Sequence, residues 1–166
     1  MQYPDPAENT YLRYFYRNRR PTRFGQIWAQ AWAWMSAHGL LPPILITLEV
    51  KDRHDGRLRS TVLAVGTYQG KRYLVSMLGV QSEWVQNIRA SGGQAFLRRG
   101  RAYPVTLIEV PVDERAPILK AWSQTATSGR RHLPVPHDAP VSAFDTIALD
   151  FPVFRIEGDH PEPKGK

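Results

Sequence analysis

The chain has 166 residues, contains no cysteine and carries a formal net charge of +7 at pH 7. This length suits one domain with a real core. The absence of cysteine excludes disulfides, thiolate metal ligands and cysteine nucleophiles, and it fits a cytoplasmic protein. The five histidines show no metal-ligand spacing, so no metal site is expected. The positive charge predicts an anionic partner, which could be nucleic acid, a membrane surface or a polyanionic cofactor.

Residues 1–40 are predicted to form an N-terminal arm and an aromatic helix. The first 20 residues are polar, aromatic and basic without clear periodicity, whereas the segment 21–38 has a helical apolar repeat. That repeat consists of Phe24, Trp28, Ala31, Trp32 and Met35. Tryptophans flanked by arginines between residues 13 and 38 resemble an interfacial helix, which would give peripheral contact with the inner membrane face. The alternative is a core or dimer helix.

Residues 41–158 are predicted to form an antiparallel α+β barrel, and the polar tail 159–166 is expected to be disordered. Strand patterns lie at 44–50, 57–65, 71–78, 94–99, 101–110 and 152–158. Helix patterns lie at 82–90, from Asp113 to about residue 125, and around 144–151. The connections between strands are too short for βαβ crossovers, which excludes a Rossmann fold. Pro104 indicates an edge or a bulge in its strand.

The segment 51–59, which reads KDRHDGRLR, is the most informative part of the chain. Its Asp55-Gly56 pair is a strong turn signal at a hairpin tip. A turn exposes backbone N–H groups, and Arg53, Arg57 and Arg59 would surround them. Together these groups would form a cradle for phosphate or carboxylate. The alternative is a charged hairpin that is simply solvated.

A second informative segment begins where a strand ends at Ser76 and runs into a helix with Ser82 as its predicted N-cap. The N-terminus of a helix favours anions because its first N–H groups are free. Trp84 and Asn87 are three residues apart and therefore share a helix face. In the alternative reading, Trp84 packs in the core and Asn87 bonds local backbone.

Taken in this order and separation, the two segments resemble the deazaflavin-dependent nitroreductase and quinone reductase family. The turn at 53–59 is similar to the family's Gly-Arg-x-Ser-Gly-x-x-Arg turn, with Asp52 and Asp55 in place of Gly and Ser. The segment 76–79 is similar to Ser-x-Gly-Gly, and 84–90 matches Trp-x-x-Asn-x-x-Ala. The resemblance covers roughly residues 44–110 and, loosely, the closing strand.

The resemblance implies a split β-barrel of the FMN-binding-protein type, with about six mostly antiparallel strands and three or four helices. It also implies binding of coenzyme F-420, a deazaflavin with a phosphodiester and an oligoglutamate tail. The residues that would contact this coenzyme are Arg53, His54, Arg57, Arg59, Ser76, Met77, Gly79, Trp84 and Asn87. Ser76 is also the candidate for orienting a substrate. Because His54 and Met77 stand where the family often has lysine, FMN is kept as the alternative cofactor.

The function expected from the resemblance is hydride transfer from reduced coenzyme F-420 to a quinone-like, nitroaromatic or enone substrate. The alternative is a non-catalytic carrier or sensor that binds deazaflavin, FMN or a fatty-acid-like ligand, and a homodimer would be compatible with either. A nucleic-acid partner is not expected, because the arginines cluster at a hairpin tip and in the arm rather than along one face. Secondary candidates for contact with a substrate are Tyr68, Tyr73, Tyr103, His132 and His137.

Overall fold

A computed structural model describes residues 16–17, 20–21, 34–35, 38, 42, 44–127 and 129–158. The expectations for the rest of residues 1–40, for the membrane contact through residues 13–38 and for the tail 159–166 lie outside these residues. Within the described part of the chain, no helix is long and apolar enough to cross a membrane.

Parts of the N-terminal region are described. Strand β1 (Tyr16–Arg17) pairs antiparallel with strand β2 (Arg20–Pro21). The helix predicted over 21–38 therefore does not include Pro21, whose backbone is extended. Trp34 and Met35 are helical, and the backbone N–H of His38 donates to the Trp34 carbonyl at 3.2 Å, as the helix predicts there.

Six longer strands close into a barrel in which every neighbouring pair is antiparallel. They are β3 (Leu45–Lys51), β4 (Leu58–Tyr68), β5 (Lys71–Val75), β6 (Gln94–Arg99), β7 (Arg101–Glu109) and β8 (Val153–Glu157). Around the barrel their order is β3-β4-β5-β8-β7-β6. This architecture confirms the predicted α+β split-barrel class with six antiparallel strands.

The barrel interior is filled by alternating side chains, as the two-residue period of a strand requires. On β3, for example, Ile46, Leu48 and Val50 are each at most 1% exposed and belong to the interior core. A second core lies on the outer side of β4, β5 and β8. Helices cover the barrel there, so this side of the barrel is buried on both faces.

Three α-helices and two 3₁₀ turns complete the described fold. They are α1 (Glu83–Ala90), α2 (Arg115–Thr125), α3 (Val141–Asp145) and the turns Val112–Glu114 and Gly129–His132. One predicted start was wrong, since Asp113 lies within a 3₁₀ turn instead of capping α2. Ser82 is the N-cap of α1 as predicted, although its side chain makes no capping bond. The helix predicted around 144–151 is shorter and begins earlier, because Pro140 precedes its first turn.

Trp122 attaches the helical layer to the barrel. Its Nε1 donates to the carbonyl of Ala64 at 3.0 Å. A Cβ atom at Gly66 would lie 2.7 Å from Trp122 Cδ1, and one at Gly129 would lie 2.5 Å from Cη2. The indole thus sits between two positions that have room only for glycine.

Pro104 lies on β7 and is paired with Phe96 of β6. On the other side of β7, the pairing with β8 ends at Thr106, which lies opposite Glu157, and so does not extend to Pro104. On that side β7 is locally an edge, and a proline there removes a donor that no strand would use. The predicted edge at Pro104 is therefore present.

Candidate functional site

The hairpin between β3 and β4 packs on α1 through Arg53. Its backbone N–H donates to Asn87 Oδ1 at 3.1 Å, and its Nη1 donates to the same oxygen at 3.0 Å. Nη1 also pairs with Glu83 Oε2 at 2.8 Å. Because Arg53 has only donors, the amide oxygen of Asn87 must face it. The two segments singled out from the sequence therefore meet at one end of the barrel.

The backbone donors of the hairpin turn are already bonded within the turn. Asp52 Oδ1 accepts from the N–H of His54 at 2.8 Å and from that of Asp55 at 3.4 Å. Asp55 Oδ1 accepts from the N–H of Arg57 at 2.9 Å. The hydrogen bond from the His54 N–H is the main reason why the pKa of Asp52 lies below its ordinary value, with the Arg59 guanidinium acting in the same direction.

The arginines of the hairpin differ in how far they are already paired. Arg59 bonds Asp52 Oδ2 at 3.1 Å and Asp55 Oδ2 at 2.7 Å, although its side chain is 54% exposed. The guanidinium of Arg57 makes no hydrogen bond or ion pair with any residue that the structure describes, and the residue is exposed. Arg57 is thus the cation of this hairpin with most capacity left for an outside anion.

The charge of this region is small once every ionised group is counted. Its cations are Lys51, Arg53, Arg57 and Arg59, and its carboxylates are Asp52, Asp55 and Glu83. The excess is a single positive charge. The cradle expected from the sequence took account of the cations alone, so its field was overestimated.

The corner after β5 is built around Ser76. This residue is 1% exposed, its N–H donates to Pro152, and its hydroxyl donates to the Gly79 carbonyl at 2.8 Å. Gly79 has a φ of +81°, and a Cβ there would lie 3.2 Å from the Asp150 carbonyl, so the position favours glycine. Met77 is partly buried against the second core. These contacts hold the corner in place, and its hydroxyl is already bonded.

The predicted site residues of helix α1, Trp84 and Asn87, are buried. Trp84 is 8% exposed and lies 5.3 Å from the ring of Phe154 in the barrel core. Asn87 is 1% exposed and binds the hairpin as described above. The structure thus gives Trp84 the core position that the sequence analysis kept as its alternative, and Asn87 a backbone partner 34 residues away.

The secondary candidates are dispersed. Tyr73 is buried among the second core, and burial raises the pKa of its phenol. Tyr103 has the Arg101 guanidinium 5.2 Å from its ring centre. Burial lowers the pKa of His132, whereas His137 is exposed in the loop before α3. The contacts described place none of these groups against the hairpin.

Sequence reasoning missed a partly buried ion network around Glu109. Arg89 makes a bidentate pair with this carboxylate at 2.9 and 2.7 Å, and Arg115 Nη2 reaches it at 3.0 Å. Arg115 is 5% exposed and also donates to the carbonyls of Val110 and Ala148. The pKa of Glu109 is lowered chiefly by Arg89. One signal was available in the sequence, since Arg115 shares a helix face with the apolar residues Ile118, Leu119 and Trp122.

An open depression of about 230 Å³ lies on the surface of β6, β7 and β8. Its lining residues are Gln94, Pro104, Val105, Thr106, Glu157 and Gly158. None of the predicted site residues lines it. Among the residues that the structure describes, no cluster of three or more His, Asp or Glu side chains could hold a metal ion.

No protein-family model matches the chain, and no curated protein matches it by sequence. Similar solved structures include ChuZ from Campylobacter jejuni, with 12% identity over 83% of this chain and a TM-score of 0.49. The chain spans 55% of the length of ChuZ. An F420-H2 dependent reductase (FDR-A) shows 20% identity over 69% of this chain and 94% of its own, with a TM-score of 0.43. HutZ, a heme storage protein from Vibrio cholerae, shows 10% identity over 80% of this chain and 92% of its own, with a TM-score of 0.49. Identities this low concern the general fold alone and assign neither ligand nor activity.

Proposed function

We propose that this protein binds coenzyme F-420 and acts as a deazaflavin-dependent reductase of a quinone-like, nitroaromatic or enone substrate. The observation that supports the proposal is the junction of the hairpin and α1 through Arg53 and Asn87. Residues 53–59 and 76–90 carry the sequence resemblance, and this junction joins the hairpin directly to the helix of the second segment. A single coenzyme could therefore contact both.

The hairpin suits the anionic end of such a coenzyme. The Arg57 guanidinium is exposed and without a partner in the described part of the chain, and a guanidinium binds phosphate or carboxylate in a bidentate manner. Arg59 is half exposed and presents further N–H donors beside it. A phosphodiester with several glutamates would supply enough negative charge to bind both, despite the neighbouring carboxylates.

The corner at 76–79 suits the flat ring system less completely. Gly79 has no side chain at a place where the backbone is already close to Asp150, and Met77 offers an apolar, adaptable surface. Ser76 and Trp84 are buried, so they would stabilise the corner without contacting the ring. When bound, the coenzyme would supply a hydride, while the protein would hold it beside the substrate.

A non-catalytic carrier is the second candidate, and one observation favours it. The Ser76 hydroxyl, expected to orient a substrate, donates to the Gly79 carbonyl instead. The substrate oxygen would then lack the hydrogen-bond donor that the sequence suggested. FMN, which also bears a phosphate, would bind through the same hairpin and remains the alternative cofactor.

The test is a fluorescence titration of the full chain with oxidised coenzyme F-420, with FMN titrated in parallel. We expect a micromolar dissociation constant for coenzyme F-420. Arg57→Ala should raise it about fivefold at most, because an exposed ion pair contributes up to about 1 kcal/mol. Arg131→Ala, which removes an exposed arginine from the 3₁₀ turn after α2, is the matched control and should leave it unchanged.

Several outcomes would change the proposal. No response to coenzyme F-420 at about 100 µM would reject it, and saturation by FMN alone would replace the coenzyme. Turnover of the reduced coenzyme with quinone, nitroaromatic and enone acceptors separates the two candidates. Oxidation of the coenzyme supports the reductase, whereas tight binding without oxidation supports the carrier. Sedimentation of the same samples tests whether the protein is a homodimer.

A further inference from the structure

We propose that Asp52 and Asp55 determine the ligand selectivity of the hairpin, because their carboxylates already occupy the donors that an external anion would need. Each carboxylate would then weaken the binding of an external anion, and weaken it further for each additional negative charge that the anion carries. This inference rests on the anion-binding part of the proposed function, and it concerns residues that bind no ligand themselves.

Asp52 takes the position that an external phosphate would take at a turn. Its side chain is only 14% exposed. One oxygen accepts the turn N–H groups of His54 and Asp55, and the other accepts Arg59 Nε at 3.1 Å. Backbone N–H groups with a guanidinium beside them are the donor set that binds phosphate in proteins. Here an internal carboxylate fills that set.

Asp55 acts on the other side of the same guanidinium. Its Oδ2 accepts Arg59 Nη2 at 2.7 Å, and its Oδ1 accepts the Arg57 N–H at 2.9 Å. Arg59 is therefore bound by two carboxylates at once. An incoming anion must either displace one of them or share the guanidinium with them, and both carboxylates repel it.

The consequence for a ligand follows from the number of its charges. A single anionic group can pair with Arg57, but an exposed pair of this kind contributes little on its own. A ligand with several phosphates or carboxylates can bind Arg57 and also use the remaining N–H groups of Arg59. Such a ligand gains more contacts, but Asp52 and Asp55 repel each of its charges, so the two carboxylates reduce its advantage over a singly charged ligand.

Asp52→Asn is the most informative variant. The asparagine oxygen can still accept the His54 N–H, so the turn is retained, while the negative charge and the acceptor for Arg59 are removed. Removing one charge about 5 Å from an anionic group in water changes the interaction by roughly 0.8 kcal/mol, which is about fourfold in affinity for each ligand charge. Asp55→Asn should act in the same direction.

Calorimetric titrations with sodium tripolyphosphate and with orthophosphate, at low ionic strength, measure this effect on the full chain. We expect Asp52→Asn and Asp55→Asn each to bind tripolyphosphate at least fourfold more tightly than the wild type. The gain for orthophosphate should be smaller because it carries fewer charges, so the preference for tripolyphosphate should increase in both variants. Asp138→Asn removes an exposed carboxylate from the loop before α3 and should leave both affinities within twofold. Thermal unfolding of each variant confirms that the fold is retained.

Equal or weaker binding by both aspartate variants would overturn the inference, as would an equal gain in Asp138→Asn. It would also fail if neither the wild type nor either variant bound tripolyphosphate at millimolar concentration. A separate result decides the proposed function. If the tripolyphosphate series follows the expected order while coenzyme F-420 does not bind, the selectivity inference stands and the coenzyme assignment fails.

Discussion

Asn87→Ala should loosen the hairpin from α1 and lower the stability of the whole domain. The amide oxygen accepts one bond from the Arg53 N–H and one from its guanidinium, at 3.1 and 3.0 Å. A neutral hydrogen bond contributes about 1 kcal/mol, and one to a charged group about 1.5–3 kcal/mol. Arg53 keeps its ion pair with Glu83, and its side chain is 27% exposed, so water replaces part of the loss. We therefore expect a loss of about 2 kcal/mol in the free energy of unfolding.

Urea denaturation followed by circular dichroism measures this loss, which corresponds to a fall in Tm of about 4–8 °C for a domain of this size. Hydrogen exchange gives a local readout, since the amide of Arg53 should exchange faster in the variant. Asn87→Asp retains an oxygen acceptor and should lose less than half as much. A change below about 0.5 kcal/mol in Asn87→Ala, with unchanged exchange at Arg53, would refute the assigned role of Asn87.

Two further substitutions test the fold that carries the site. Glu109→Gln should lower the free energy of unfolding by about 2–3 kcal/mol at pH 7. This is less than the ~3–5 kcal/mol lost when a fully buried ion pair is broken, because Glu109 is partly exposed. Because Arg89 and Arg115 lower the pKa of Glu109, its contribution is present above the ordinary glutamate pKa and is lost as the pH falls through the lower folded pKa. The difference from wild type should therefore shrink as the pH falls below about 4.5 in urea titrations, and a constant difference would contradict it. Gly66→Ala should cost roughly 2–3 kcal/mol, because its Cβ would lie 2.7 Å from Trp122 Cδ1 and 3.2 Å from the Trp122 Cα. An unchanged urea midpoint in Gly66→Ala would contradict the contact.

The strands could be predicted well because their sequence pattern is local. The limits of β6 agree with the predicted 94–99, and the turn at Gly100 separates it from β7. The start of α2 was predicted less well, since capping depends on side-chain geometry that the sequence does not specify. Neither Ser82 nor Asp113 makes the bond that its position suggests. Closure of the barrel depends on the pairing of β3 with β6, whose residues are about 50 positions apart.

The sequence singled out the two segments that the structure brings into contact through Arg53 and Asn87. Their binding of a coenzyme stays a prediction. Their charge balance could not be predicted, because Glu83 reaches Arg53 only once α1 is folded against the hairpin. Asp52 and Asp55 were noted as departures from the family pattern, but spacing alone does not reveal that their carboxylates bind Arg59.

The central claim is that the hairpin and the corner with α1 form one coenzyme site. Amide chemical shifts of ¹⁵N-labelled protein during a titration with oxidised coenzyme F-420 test it most directly. We predict saturable shifts for the amides of residues 52–59 and 77–87, with little change for Thr106 and Glu157 beside the surface depression. Shifts confined to the depression on β6, β7 and β8, or no shifts at all, would contradict the claim.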